Sequence, residues 1–505
     1  MTSIILTETY AKCTIIKNLL TKLGNNTSYT CITIGTYLRK IAHLSDIIID
    51  EKPGTVEIKY TNIEMRIEKI KSAIQDASTV LIATDSTPEG EMLAWHICDI
   101  FRLDMENTKR LNLFELTQKA LAQSLSPSNT DKIDPFKVYE QRTREIIDML
   151  IKYTFSPIAW KKNIPTNATI DRLCIPAIQL IKNKNKNISN NPVVGYNVTA
   201  YFTRLTLPFK LNTTIKEKEI IQLFNTLKTC EFKCSVTQPR KAIINPPTPL
   251  SMGTLLILSS SELNLSPPET MQHAQYLYEH GCITHPYTNT NKYSSDFIIT
   301  VKNRIENTYG ILHKKYLNTH IDNIQLDDDN DNDNNKKEQA IRPTNITLIA
   351  KDLRKIHDDI HPKAIHLYDL IWRNTLQSCM SSAHKYTVVA SINIPNTKYS
   401  FTYKSICSTF KGWESVENKI VGGEEGYNYL QNLNTEIPID FECVNAKFAI
   451  TNSATPYTEK EFIQKLLDII PPKCIPQIFD KLKTHKFIKK GRFEGHSITQ
   501  NEYTM

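Results

Sequence analysis

Two short apolar runs constrain the fold of this chain more than any other feature. Ile4–Leu6 and Val80–Ala83 are too short for buried helices, and each opens through a polar turn into a helical pattern. The first passes through Thr7-Glu8-Thr9-Tyr10-Ala11-Lys12 into a helix expected to reach about Leu23. The second passes through Thr84-Asp85-Ser86-Thr87-Pro88 into a helix that begins Glu89-Gly90-Glu91-Met92-Leu93-Ala94-Trp95. Strands alternating with helices to about residue 125 predict an open α/β sheet, in which function gathers at the carboxyl ends of the strands. Glu8, Asp85 and Glu89 all fall there. Carboxylates gathered on one edge repel one another unless a hard cation lies between them, and Mg²⁺ suits such a set. Taken singly, Glu8 reads equally well as a helix cap and Asp85 as a turn residue.

At 505 residues the chain exceeds what one core can organise, so three or four lobes are expected. A net charge of +8 fits a polyanionic partner and equally a slightly basic protein. The eleven cysteines are scattered without a framework, which predicts a reducing, intracellular compartment, cytoplasm or nucleus/nucleoid. Cys230 and Cys234 form the one close pair and have no second pair nearby, which argues against zinc. Charged residues interrupt every apolar run, so no membrane span is expected, and the strand at the N-terminus leaves no room for a leader.

Residues 135–182 read as helical, with Arg142, Arg144, Lys152, Lys161, Lys162 and Arg172 at polar positions; they form either a solvated face or a phosphate track. Asn183–Pro192 reads as a polar loop. Alternating segments at 195–205, 230–245, 385–405 and 438–450 predict a β-rich lobe interrupted by a helical insertion of about residues 247–380. The acidic, Asn-rich run within 326–338 reads as a surface loop. An amphipathic helix, Leu367–Met380, follows it. Thr458–Lys490 holds two helices joined by Ile470-Pro471-Pro472-Lys473.

Inside the insertion, Ser266, Pro267 and Glu269 signal a helix start, and Gly281 ends that helix. Cys282–Thr284 then reads as a short strand opening into a polar loop that carries His285 and Tyr287 on one side. It is either an active-site tip or a solvated turn.

Together these segments resemble the type IA DNA topoisomerases, in order, over nearly the whole chain. Thr7–Lys12 is similar to the first acidic motif of a Toprim domain, and Ala83–Glu91 with Leu93-Ala94-Trp95-His96 to the second. Phe114-Glu115-Leu116-Thr117, Ile147–Leu150, Ser156-Pro157, Trp160–Lys162, Arg172 with Pro176, Pro246–Pro249, Ala340–Thr344 and Leu367–Trp372 follow the bacterial-type pattern.

The resemblance implies a multidomain torus with α/β, α and β lobes. It comprises a Toprim α/β domain (1–145), a helical DNA-groove domain (146–195 and 446–505), a β-rich arch (196–246 and 381–445) and a cleavage domain (247–380). It also implies a monomer that binds DNA, preferentially single-stranded or negatively supercoiled. Such a protein relaxes DNA through a Mg²⁺-dependent, ATP-independent 5′-phosphotyrosine. Site roles carried over are Glu8 and Lys12 in catalysis; Glu8, Asp85 and Glu89 at Mg²⁺; and Lys12, Arg144, Arg172 and Arg342 on DNA. No cysteine ribbons precede Met505, so a strand-capturing tail is not expected.

The departures fall on the chemistry. His285 stands where the tyrosine is expected, Tyr287 where an arginine is expected, and Asn289 where an acidic residue is expected. Thr87 replaces an acidic residue of the metal motif, Pro88 an arginine, and Glu145 the arginine beside Arg144. Asp171 and Cys174 replace a glycine and a glutamine around Arg172, and Glu338 and Gln339 stand where a histidine is expected. Three outcomes stay open. Tyr287 attacks phosphorus with His285 as base, with the attack point displaced by roughly 6–7 Å; His285 itself attacks; or the protein is an inactive homologue that binds DNA or serves a structural role.

Overall fold

A computed structural model describes residues 3–24, 29–49, 56–126, 131–161, 169–188, 193–202, 205–310, 313–318, 321–326, 338–356, 359–417, 424–433, 435–451, 456–485, 488–492 and 496–500. Lys162 and the acidic run 327–337 lie outside these.

The N-terminal domain is the expected open sheet. Four parallel strands run in the order Tyr29–Thr33, Ser3–Thr7, Val80–Ile82 and Lys109–Arg110. The helices that leave the two central strands are capped by threonines. Thr9 Oγ1 accepts from the Lys12 backbone N–H, and Thr87 Oγ1 accepts from that of Gly90. These caps fix where Tyr10–Lys22 and Pro88–Phe101 begin, and so fix Glu8 and Glu89 at the strand ends.

The β-rich lobe is a seven-stranded antiparallel sheet assembled from both sides of the insertion. Its main path runs Cys234–Val236, Ala383–Asn393, Ser400–Phe410, Leu205–Leu211, Val193–Phe202 and Phe441–Thr451, and Arg240–Ile244 also pairs with Ala383–Asn393. Phe202, Phe209, Phe232 and Phe401 fill its core.

The helical region expected over 135–182 holds two helices, Pro135–Trp160 and Cys174–Ile188. The second continues through most of the stretch read as a loop after Asn183, because its apolar positions pack on the C-terminal helices. Ala177 and Ile181 share a core with Phe462, Leu466, Ile478 and Phe479.

One core crosses from the N-terminal sheet into the insertion. Ile5, Leu81 and Leu111 belong to the same buried cluster as Leu277, Tyr278, Ile283 and Leu367. Each fully buried aliphatic side chain contributes about 1.5–3 kcal/mol, so this cluster holds the two lobes face to face. That contact positions the site.

Candidate active site

The site lies where the strand ends of the N-terminal sheet meet the segment after helix Pro267–Glu279. Glu269 ties down that helix's start by accepting from both the N–H and the Oγ of Ser266. Gly281, with φ of 69°, then turns the chain sharply. The expected strand at Cys282–Thr284 is only a single bridge, Ile283 to Pro343. Further pairing is replaced by contacts with the N-terminal domain: the His285 N–H donates to Phe114 O at 2.7 Å, and Tyr278 OH donates to Leu113 O at 2.6 Å.

At the centre is a lysine that is 2% exposed. Lys12 Nζ lies 2.6 Å from Asp85 Oδ1, and Glu8 Oε1 accepts from the Asp85 N–H at 3.2 Å. Burial alone would raise Asp85, but Lys12 and His285 hold it well below the usual carboxylate range. Burial alone would lower Lys12, but Asp85, Tyr278 and Glu8 together leave it raised. Burial, then the charge of Asp85, pushes Glu8 up to about 8. At neutral pH the cluster is therefore one ion pair beside a protonated carboxyl.

His285, 7% exposed, sets its Nε2 3.7 Å from Asp85 Oδ2. This is an ion pair when the imidazole is protonated and too long for a hydrogen bond. Its ring meets the edge of Tyr278 at 4.9 Å and tilts against Tyr287 at 5.6 Å. Tyr287 is 36% exposed. Partial burial, then the charges of Asp85, Glu89 and Glu279, push its phenol up to about 12.

The three carboxylates expected to share Mg²⁺ do not converge. Lys12 occupies one side of Asp85, while Glu89 Oε1 faces Arg144 Nη1 at 3.8 Å and Lys473 Nζ at 3.9 Å. Thr87, in the place expected for a further acidic residue, is engaged as a helix cap. Among the described residues no three His, Cys, Asp or Glu side chains gather as metal ligands. As these side chains stand, the set does not fit Mg²⁺.

The basic residues divide. Arg144 and Arg172 sit on the helical face, Arg172 Nε 2.8 Å from Asp148 Oδ1. Arg142 donates to Val56 O. Arg342 lines a surface cavity of about 720 Å³ together with Glu115, Phe297 and Gln339. It is buried, its guanidinium donates to Glu115, Gln339 and Pro343 O, and it stacks 3.9 Å over Phe297. Its geometry is that of a brace between the insertion and the N-terminal domain.

Sequence reading missed Arg110, Glu91, Tyr278 and Lys473. Arg110 is fully buried and donates to the carbonyls of Ile82, Thr84 and Asp85 and to Glu91 Oε1 at 2.7 Å, so it fixes the turn that presents Asp85. Gly90 permits the same turn, since a Cβ there would lie 2.0 Å from Asp85 O. Arg110 stands in the charged two-residue strand Lys109–Arg110, just before Leu111, and that context was a weak local signal. Lys473 offered none, because its neighbours at the site lie more than 300 residues away along the chain.

A family profile described as DNA topoisomerase matches residues 132–493, and one described as Toprim domain matches residues 3–116. DNA topoisomerase 1 of Rickettsia conorii is 26% identical over 463 residues, covering 85% of this chain and 58% of that protein. DNA topoisomerase 1 of Helicobacter pylori is 27% identical over 513 residues, covering 97% and 66%. The chain thus spans about half to two thirds of the curated relatives it matches. A crystal structure of full-length topoisomerase I from Thermotoga maritima superposes with a TM-score of 0.80 at 21% identity, covering 98% of this chain and 80% of that one.

Proposed function

The chain belongs to the type IA DNA topoisomerases, and from that premise we propose that it binds single-stranded DNA without forming the 5′-phosphotyrosine by which the resemblance would have it relax DNA. The observation that carries this is the imidazole at position 285, buried against Asp85 where the attacking phenol is expected. A phenol must shed its proton to attack phosphorus. The neighbouring Tyr287 is pushed the wrong way, up to about 12, by the carboxylates it faces. The cations that could lower it are engaged: Lys12 with Asp85, and Arg144 and Lys473 with Glu89.

Toprim domains generally bind Mg²⁺, but this set of residues supports no metal step. Helix Pro135–Trp160 exposes Phe136, Tyr139, Tyr153 and Phe155 alongside its basic residues, a composition suited to stacking bases and pairing phosphates. No helix among the described residues is long and apolar enough to cross a membrane.

The tilt of Tyr287 against His285 favours one second reading, attack by Tyr287 with His285 as base. Incubating the protein with end-labelled single-stranded DNA and denaturing it separates the two. The expected result is salt-dependent binding with no covalent adduct. An adduct lost in Tyr287→Phe establishes the second reading, and absence of salt-dependent binding refutes the DNA-binding one.

A further inference from the structure

We propose that His361 and His273 form a proton-operated cap where helices Pro362–Ser378 and Pro267–Glu279 meet: neutral imidazoles hold the first turn of Pro362–Ser378, and acidification releases it. The device does not depend on DNA binding. It sits on the helix pair behind the site, since Leu367 and Tyr368 share a buried cluster with Leu277, Tyr278 and Ile283.

Helix Pro362–Ser378 is capped by a histidine. The backbone of His361 is extended, and its Nδ1 accepts from the Lys363 N–H at 3.1 Å. Nδ1 accepts only while it carries no proton, which places the single proton of the neutral ring on Nε2. Serine, threonine, asparagine and aspartate are the usual caps, and none of them changes charge between pH 5 and 8 as histidine does. Once the ring takes a second proton, Nδ1 becomes a donor facing a donor. A positive charge then also stands at the positive end of the helix.

The neighbouring groups work in the same direction. The His273 ring stacks on that of His361, with centroids 5.1 Å apart and planes 19° from parallel. Burial, then His361 and Lys363, pull His273 below its ordinary value of 6.5, against Glu269. The unfolded chain therefore takes up a proton that the folded one resists, so stability falls as pH drops through 6.5. Glu269, on His273's own helix, is the carboxylate acting on that ring. Burial would raise it, but Lys363 and Ser266 bring it down to about 2, so it is ionised throughout the window. Its oxygens are already engaged: Oε1 lies 2.8 Å from Lys363 Nζ, and Oε2 accepts from Ser266. Asp359, in the preceding loop, acts on Tyr276. On the adjacent helix Ala350–Ile356, Asp352 is bonded to Lys355.

The test uses the full chain. Hydrogen exchange of residues 362–367, corrected for intrinsic rates, is followed by mass spectrometry at pH 5.5 and 7.5, on either side of an ordinary imidazole's pKa of about 6.5. Losing a cap and placing a cation at the helix start is expected to cut wild-type protection about fivefold to tenfold at the lower pH. His361→Asp keeps an acceptor at both pH values and is expected to abolish the drop. His361→Ala is expected to show the low protection at both, and His273→Gln to narrow the drop. A wild type without the drop, or a full drop retained in His361→Asp, overturns the proposal. Ring ¹⁵N spectra of the wild type give a reading that needs no variant: the Nε2–H tautomer of His361 is expected at pH 7.5, and the Nδ1–H tautomer there overturns the cap.

Discussion

Replacing Glu8 by glutamine isolates the electrostatics of the central cluster. In the folded protein Glu8 titrates near 8, against about 4.5 for an ordinary glutamic acid. Between these values the folded state holds a proton that the unfolded chain has released, so stability falls as pH rises through the window and levels off above 8. The slope is at most about 1.4 kcal/mol per pH unit, or about 3 kcal/mol from pH 6 to 8. Solvent screening at this half-buried carboxyl reduces the expected loss to about 1–2 kcal/mol. Glutamine keeps the shape and an acceptor for the Asp85 N–H but cannot ionise. Glu8→Gln should therefore match wild type only near or below pH 4.5, exceed it by a growing margin from there to about pH 8, and keep that margin above. The chain has several lobes, so a single melting temperature mixes them. Hydrogen exchange at the amides of Ile4, Ile5 and Leu6, corrected for intrinsic rates, reports on the strand that carries Glu8. If wild-type and Glu8→Gln protection run parallel from pH 6 to 9, Glu8 is not held protonated by burial and Asp85, and the charge assignment is wrong.

Two further substitutions test how Asp85 is presented. Arg110→Met leaves Glu91 buried without its partner and frees three carbonyls of the Asp85 turn, so a loss of about 3–5 kcal/mol is expected; protection in strand Val80–Ile82 should fall accordingly, and unchanged exchange there refutes the bracing role. Gly90→Ala forces a methyl onto Asp85 O, and the helix start must shift at a cost of about 3 kcal/mol or more. That substitution should weaken protection around Thr87–Gly90, while an alanine at exposed Gly24 lacks any such contact and leaves that region unchanged.

Much of the fold was legible because it rests on local signals. Short apolar strands, threonine and serine caps, and alternating segments on either side of a helical insertion all announce themselves within a few residues. The extension of the Cys174 helix through a polar stretch was not legible, because its apolar positions find their partners in helices nearly 300 residues away. The isolated bridge at Ile283 has the same cause: the letters suit a strand, but the neighbouring backbone groups are satisfied by Arg342, Phe114 and Leu277.

For the site, the sequence alone determined which groups are present: a histidine at 285, a tyrosine at 287, and acidic residues at strand ends. It could not determine their pairing. Mg²⁺ among Glu8, Asp85 and Glu89 was a sound inference from like charges brought to one edge, but a lysine from the first helix reaches Asp85, and Glu89 turns to Arg144 and to Lys473 of the C-terminal lobe. Charge is a property of the residue and is read from the letter. Which opposite charge lies within 4 Å is set by packing between segments hundreds of residues apart, and at that range it decides whether Glu8 keeps its proton and which way the phenol of Tyr287 is pushed.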